Sequence, residues 1–158
     1  MPDESEMQAP TRIKPKGLAD YLEVLSKAVF KSGMAWRVVD AKWDSTREAF
    51  LDFDPQRVAS MSEADIDALA QDTRVIRNRR KLNAIVSNAA RMVELDAEHG
   101  SFKKYLKSGG DYEGRAKQLR KDFKFLGDFG SYYFQYVVGE EVPDYHEWRE
   151  ALAAKSRR

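Results

Sequence analysis

Apolar residues in this 158-residue chain recur every three or four positions and nowhere sustain an alternation of two. That spacing puts them on one stripe of an α-helix, whereas a half-buried strand needs period two. Leu18, Leu22, Leu25 and Val29 form one stripe. Leu82, Ile85, Val86, Ala89, Met92 and Val93 form a longer one, Ala116, Leu119, Phe123 and Leu126 a third, and Phe134, Val137 and Val138 a fourth. Ser32-Gly33, Gly100, Gly109-Gly110, Gly127 and Gly139 break the chain between them. Short amphipathic helices must bury their stripes against one another, so the pattern predicts an all-α fold, a compact bundle of short helices.

Local start signals sharpen the segmentation. Asp54-Pro55 places a capping acid before a proline at the first helical position. Ser62-x-x-Asp65 resembles a capping box with Asp in place of Glu. Ser101 caps a short helix through Tyr105 and Leu106, Ser45 is expected to cap one running through Phe50 and Phe53, and Met34 to Trp43 reads as a further helix. A last helix is expected from about Asp144 to Ala154, after Pro143. Residues 1–16 lack periodicity and read as a flexible N-terminal arm, and residues 17–158 as a single helical domain.

Composition limits the function classes. No apolar run approaches the ~20 residues that span a bilayer, so no membrane partner is expected. The absence of cysteine excludes disulfides and thiolate zinc sites, and two histidines make a poor ligand set, so no metal and no cofactor are expected. A cysteine-free chain fits a reducing cytoplasm. Net charge is +1, far from the excess of a protein coated by nucleic acid. Any DNA contact must come from local patches, and Lys and Arg do cluster at 77–81, 115–124 and 155–158.

The segment Phe123-Lys124-Phe125-Leu126-Gly127-Asp128-Phe129-Gly130-Ser131 sits between two helices. A tight turn there aims the next helix's free N–H groups outward, an arrangement suited to a DNA phosphate; an ordinary helix-helix turn has the same pattern. Asp144 either caps the last helix or holds a carboxylate beside that hairpin, with His146 two residues on.

These residues resemble the helix-hairpin-helix DNA glycosylases, specifically the 3-methyladenine DNA glycosylase I group. The likeness runs from about Tyr21 to Trp148. It rests on Gly33-Met34-Ala35-Trp36, Phe53-Asp54-Pro55, Val58-Ala59-Ser60-Met61, Asp65-Ile66, Ile76-Arg77-Asn78 with Lys81, Asn88-Ala89, Gly100-Ser101-Phe102 with Tyr105-Leu106, and Phe123-Lys124-Phe125-Leu126-Gly127. The resemblance implies an enzyme that flips an alkylated purine such as 3-methyladenine out of double-stranded DNA and hydrolyses its N-glycosidic bond, acting as a monomer. Trp36 and Tyr21 are then expected to bind the base, and Met34 to wedge into the gap it leaves. Gly33, Lys31, Gly127, Gly130, Arg77 and Lys124 are expected to contact DNA, and Asp144 to serve catalysis. The chain departs from the family at Ala28, where the family has a base-reading glutamate, and it lacks the family's zinc clamp. Those departures keep open an inactive glycosylase-like protein that binds damaged or bent DNA, and more weakly a protein-interaction module. No lysine lies between Gly127 and Tyr136, which disfavours a Schiff-base lyase step.

Overall fold

The computed structural model describes residues 6–156, and these contain helices and no strand. The order is α1 (Leu18–Lys31), α2 (Trp36–Ala41), α3 (Trp43–Ala49), a 3-10 turn at Leu51–Phe53, α4 (Pro55–Ala59), α5 (Glu63–Leu69), α6 (Arg79–His99), α7 (Phe102–Ser108), α8 (Tyr112–Asp122), α9 (Asp128–Val137) and α10 (Tyr145–Ser156). No helix among them is long and apolar enough to cross a membrane. Residues 1–5, part of the expected arm, and residues 157–158, the end of the expected domain and of its last basic cluster, lie outside the described residues.

The long helix α6 packs against α4, α7 and α1, and α1 packs in turn against α9. Leu22, Leu25, Leu82, Ile85, Met92 and Phe134 are fully enclosed where these helices meet. Burying an aliphatic or aromatic side chain of this size contributes about 1.5–3 kcal/mol each. Any of them cut to alanine therefore removes a large share of a small domain's margin. Between α7 and α8 a Cβ on Gly114 would lie 1.9 Å from the carbonyl oxygen of Gly109, so only glycine permits that close approach.

Most helix starts follow the local signals. Asp54 accepts from the backbone N–H groups of Gln56 and Arg57, Ser62 and Asp65 form a complete capping box, and Asn78, Ser101 and Asp111 cap α6, α7 and α8. Three boundaries before α4 differ from expectation. Met34–Trp43 is not one helix: α2 ends at Ala41 and α3 begins at Trp43. Ser45 lies inside α3, where its hydroxyl donates to the carbonyls of Lys42 and Arg74. The third helix stops at Ala49, because Leu51, Asp52 and Phe53 turn left-handed with φ of 58°, 57° and 56°. Left-handed backbone costs roughly 1–2 kcal/mol per residue. Enclosure of Phe50 and Phe53 offsets it, with Phe53 stacked on both Phe50 and Trp43 at 5.4 Å; each such ring pair adds about 0.5–1.5 kcal/mol beyond burial. Periodicity alone cannot announce that trade.

The third stripe also ends early. Phe123 and Leu126 are buried, but α8 stops at Asp122 and Phe125 takes φ 57°. The turn Phe123–Gly127 then delivers α9 from Asp128.

Residues 6–16 lie along the body. Ile13 N–H donates to Val137 O at 2.7 Å, and Arg12 sits over the Tyr136 ring at 4.1 Å. The Tyr145 hydroxyl and the Arg149 guanidinium both donate to Glu6 O. α10 is itself fixed by Trp148, stacked on Tyr132 at 4.0 Å.

Candidate functional site

A cleft of about 670 Å³ opens between α1, α2, α9 and the segment 8–16. Its polar wall comes from α1. Asp20, Glu23, Lys27 and Lys31 are spaced three or four apart, so one helix face presents all of them. The opposite face of the same helix carries Leu22, Leu25 and Val29 into the core. α1 ends at Lys31 and the chain reverses through Gly33, φ 76°, a conformation suited to glycine. The reversal brings Trp36, first residue of α2, back toward the end of α1. Lys81 secures this end: its ammonium donates to Phe30 O at 3.2 Å and Ser32 O at 2.6 Å, satisfying carbonyls the helix leaves unpaired.

Trp36 forms the aromatic wall. It is 7% exposed and packs against Phe129 at 5.5 Å and, edge-on, against Tyr133 at 5.7 Å. Burial pushes the Tyr133 hydroxyl well above its ordinary pKa, so it remains a neutral phenol. The Lys31 ammonium lies 4.5 Å from the Trp36 ring centre and 5.4 Å from that of Tyr133. Asp40 accepts from Lys31 at 3.0 Å and from Lys27 at 3.2 Å. Burial pulls the Lys31 pKa down, and the hydrogen bond and charge of Asp40 oppose that shift. Glu23 accepts from Trp43 Nε1 and from the Arg47 guanidinium, both at 2.9 Å, and Asp20 accepts from the Lys16 N–H at 2.8 Å. The cleft's carboxylates are thus already engaged; Lys31 lies over Trp36 and Lys27 over Trp43, at 5.4 Å.

The expected site residues divide between regions. Trp36 and Lys31 line the cleft. Tyr21, on the same helix, packs instead against Phe102 at 5.1 Å and Phe134 at 6.2 Å. Met34 is half-buried and Gly33 exposed at the turn between α1 and α2. Asp144 is exposed, is not among the cleft's lining residues, and accepts from the N–H groups of His146 and Glu147. That is the geometry of a helix cap.

The remaining expected contacts gather around the α8–α9 turn and the start of α6. Gly127 is the exposed N-cap of α9, whereas Gly130 is buried in its first turn against Leu126. Asn88 pins the turn to α6 by exchanging both side-chain hydrogen bonds with the backbone of Lys124, at 2.8 and 3.1 Å. Arg80 lies 5.6 Å over the exposed ring of Phe125. Lys124 and Arg77 are exposed, and Arg79 pairs with Asp67. The Asn88–Lys124 and Arg80–Phe125 contacts therefore tie the α8–α9 turn to α6.

Sequence reasoning missed Asp20, Glu23, Lys27, Asp40, Tyr133 and the contribution of residues 8–16. The one available signal was the polar spacing along α1, which is also what a solvated helix face shows.

Fold and cleft together define an all-helical, DNA-glycosylase-like domain. The solved structure of 3-methyladenine DNA glycosylase I from Staphylococcus aureus, described for its recognition of 3-methyladenine, superposes with a TM-score of 0.71 at 28% identity, covering 80% of this chain and 79% of that one. Residues 16–125 match the methyladenine glycosylase family model, and the chain belongs to that family. Among its relatives, the DNA-3-methyladenine glycosylase of Haemophilus influenzae is 40% identical over 76 residues, 48% of this chain and 41% of that protein's length. DNA-3-methyladenine glycosylase 1 of Escherichia coli is 27% identical over 130 residues, 69% of this chain and 70% of that protein.

Proposed function

We propose that this protein is a monofunctional DNA glycosylase that takes an alkylated purine into the Trp36 cleft and hydrolyses its N-glycosidic bond. The observation that carries the proposal is the family membership over residues 16–125, with an aromatic-walled cleft large enough to admit a base along the matched helices α1 and α2. Flipping a base out of duplex DNA costs a few kcal/mol, least for a damaged pair. Stacking returns about 1–3 kcal/mol per base. Trp36 and Tyr133 supply the aromatic wall against which the base would pack, and the half-buried Met34 can fill the vacated space in the duplex. The exposed N-terminus of α9 at Gly127 offers free N–H groups to a phosphate, with the exposed Lys124 adding charge from the same turn. Alkylation makes the base a better leaving group, so the pocket's task is to hold the base while water attacks the sugar carbon. The proposed partner is double-stranded DNA, and the proposed working unit is one chain.

Incubation with methylated duplex DNA, followed by chromatography of released bases, tests the proposal. Release of methylated purine is expected; no release above background by folded protein overturns it. A second reading, a DNA-binding protein without chemistry, is favoured by Ala28, wholly buried where the family has a glutamate by resemblance. Tight, salt-dependent binding to abasic DNA without base release would select it.

A further inference from the structure

We infer that Lys14 and Lys16, on the segment that walls the cleft, hold the phosphates flanking a nucleotide turned out of the duplex. The inference rests on the cleft receiving that nucleotide, as proposed above. A base enters a protein cleft attached to its sugar, and the phosphates on either side of that sugar then come to the rim. Lys14 and Lys16 line the cleft and are exposed, so they stand at its solvent edge. Lys27 and Lys31, the other lysines of the lining, are half-buried and buried and share Asp40. The rim ammonium groups are uncommitted. Among the described residues neither has a hydrogen-bond or ion-pair partner, and Asp20 engages Lys16 through its backbone N–H alone. Residues 8–16 contain no acid, and their third cation, Arg12, is bound to Glu140 O at 3.2 Å and lies over the Tyr136 ring.

The two lysines are also held in place. On one side Ile13 N–H donates to Val137 O at 2.7 Å, and on the other Lys16 N–H donates to Asp20 at 2.8 Å. Pro15 lies between them; it fixes its own φ and disfavours the helical region for Lys14. A backbone already ordered spares part of the entropy that ordering a loose arm on DNA costs. Ammonium groups meet phosphate as point charges. Such contacts fix where the strand lies and carry no information about the base.

Duplex DNA containing a tetrahydrofuran abasic analogue, which keeps the sugar and phosphates but has no base to release, tests this beside intact duplex of the same sequence. Affinity is followed by fluorescence anisotropy over a range of salt. Each phosphate contact contributes about 0.9 to the slope of log affinity against log salt. Lys14→Gln combined with Lys16→Gln should reduce the slope on abasic duplex by about 2, and each single variant by about 1. Between about 50 and 200 mM salt, wild type should then lose about tenfold more affinity for abasic duplex than the double variant does. The slope on intact duplex should not move. Both side chains are exposed and unpaired, so the variants should melt with wild type. An equal change on both duplexes makes the lysines general surface charge and overturns the inference. An unchanged slope on abasic duplex, or no binding of either duplex, does the same. Base release is assayed separately, so a protein that shows the difference yet releases nothing loses the proposed chemistry and keeps this assignment of Lys14 and Lys16.

Discussion

Replacing Lys81 by methionine isolates the device that holds the end of α1. The side chain is buried, and its ammonium makes two hydrogen bonds, at 3.2 and 2.6 Å, to the carbonyls of Phe30 and Ser32. Methionine fills nearly the same volume, so the cavity cost is small. Hydrogen bonds from a charged donor contribute about 1.5–3 kcal/mol each, and buried carbonyls left unpaired cost about 1–3 kcal/mol each. Removing a buried ammonium returns several kcal/mol of desolvation. The balance predicts a loss of about 2 kcal/mol, or roughly 4–8 °C in Tm for a domain of this size. Urea unfolding followed by circular dichroism, with slopes compared to confirm a common unfolded state, measures it. A variant within about 0.5 kcal/mol of wild type, or more stable, refutes the capping argument. The pH dependence supplies a second check. Burial lowers the folded-state pKa of Lys81 below the usual lysine value, so between the two pKa values the unfolded chain holds the extra proton. Stability of the wild type relative to the variant should then rise as pH climbs through that window, and fall back below it.

Three further outcomes follow from the geometry. Asp144→Asn keeps a capping oxygen, so base release should match wild type, whereas Asp144→Ala should lose about 1 kcal/mol of stability; a large fall in turnover with Asn would put the carboxylate back in the chemistry. Gly33→Ala meets no atom within 4 Å and should cost about 1–2 kcal/mol from its positive φ alone, and an unchanged urea midpoint would show that the turn relaxes. Lys124→Gln should reduce the slope of log affinity against log salt for duplex DNA by about 1; an unaltered slope removes the α8–α9 turn from the DNA face.

The helical class and most helix starts were legible in the sequence because they depend on neighbours a few positions apart. Apolar spacing fixes a buried stripe, and a cap such as Asp54, Ser62 or Ser101 bonds an N–H group two or three residues away. Where long-range packing competes with local preference, the reading failed. The left-handed turn at Leu51–Phe53 exists because Phe50, Phe53 and Trp43 find one another in the core, and α8 stops early although its stripe continues.

The same division runs through the site. Family-like blocks are properties of order and spacing, and they were visible at Gly33–Trp36 and Phe123–Gly127. Whether Trp36 faces core or cleft was not, because one helical spacing serves both. In the tertiary structure Trp36 does both: it is 7% exposed within the core and lines the cleft that residues 8–16 form with α1, α2 and α9. Tertiary packing also buries Lys31 over Trp36, tied to an aspartate nine positions on. A side chain's charge is written in the sequence, but the field it creates depends on what solvent is excluded and which partners arrive from distant segments.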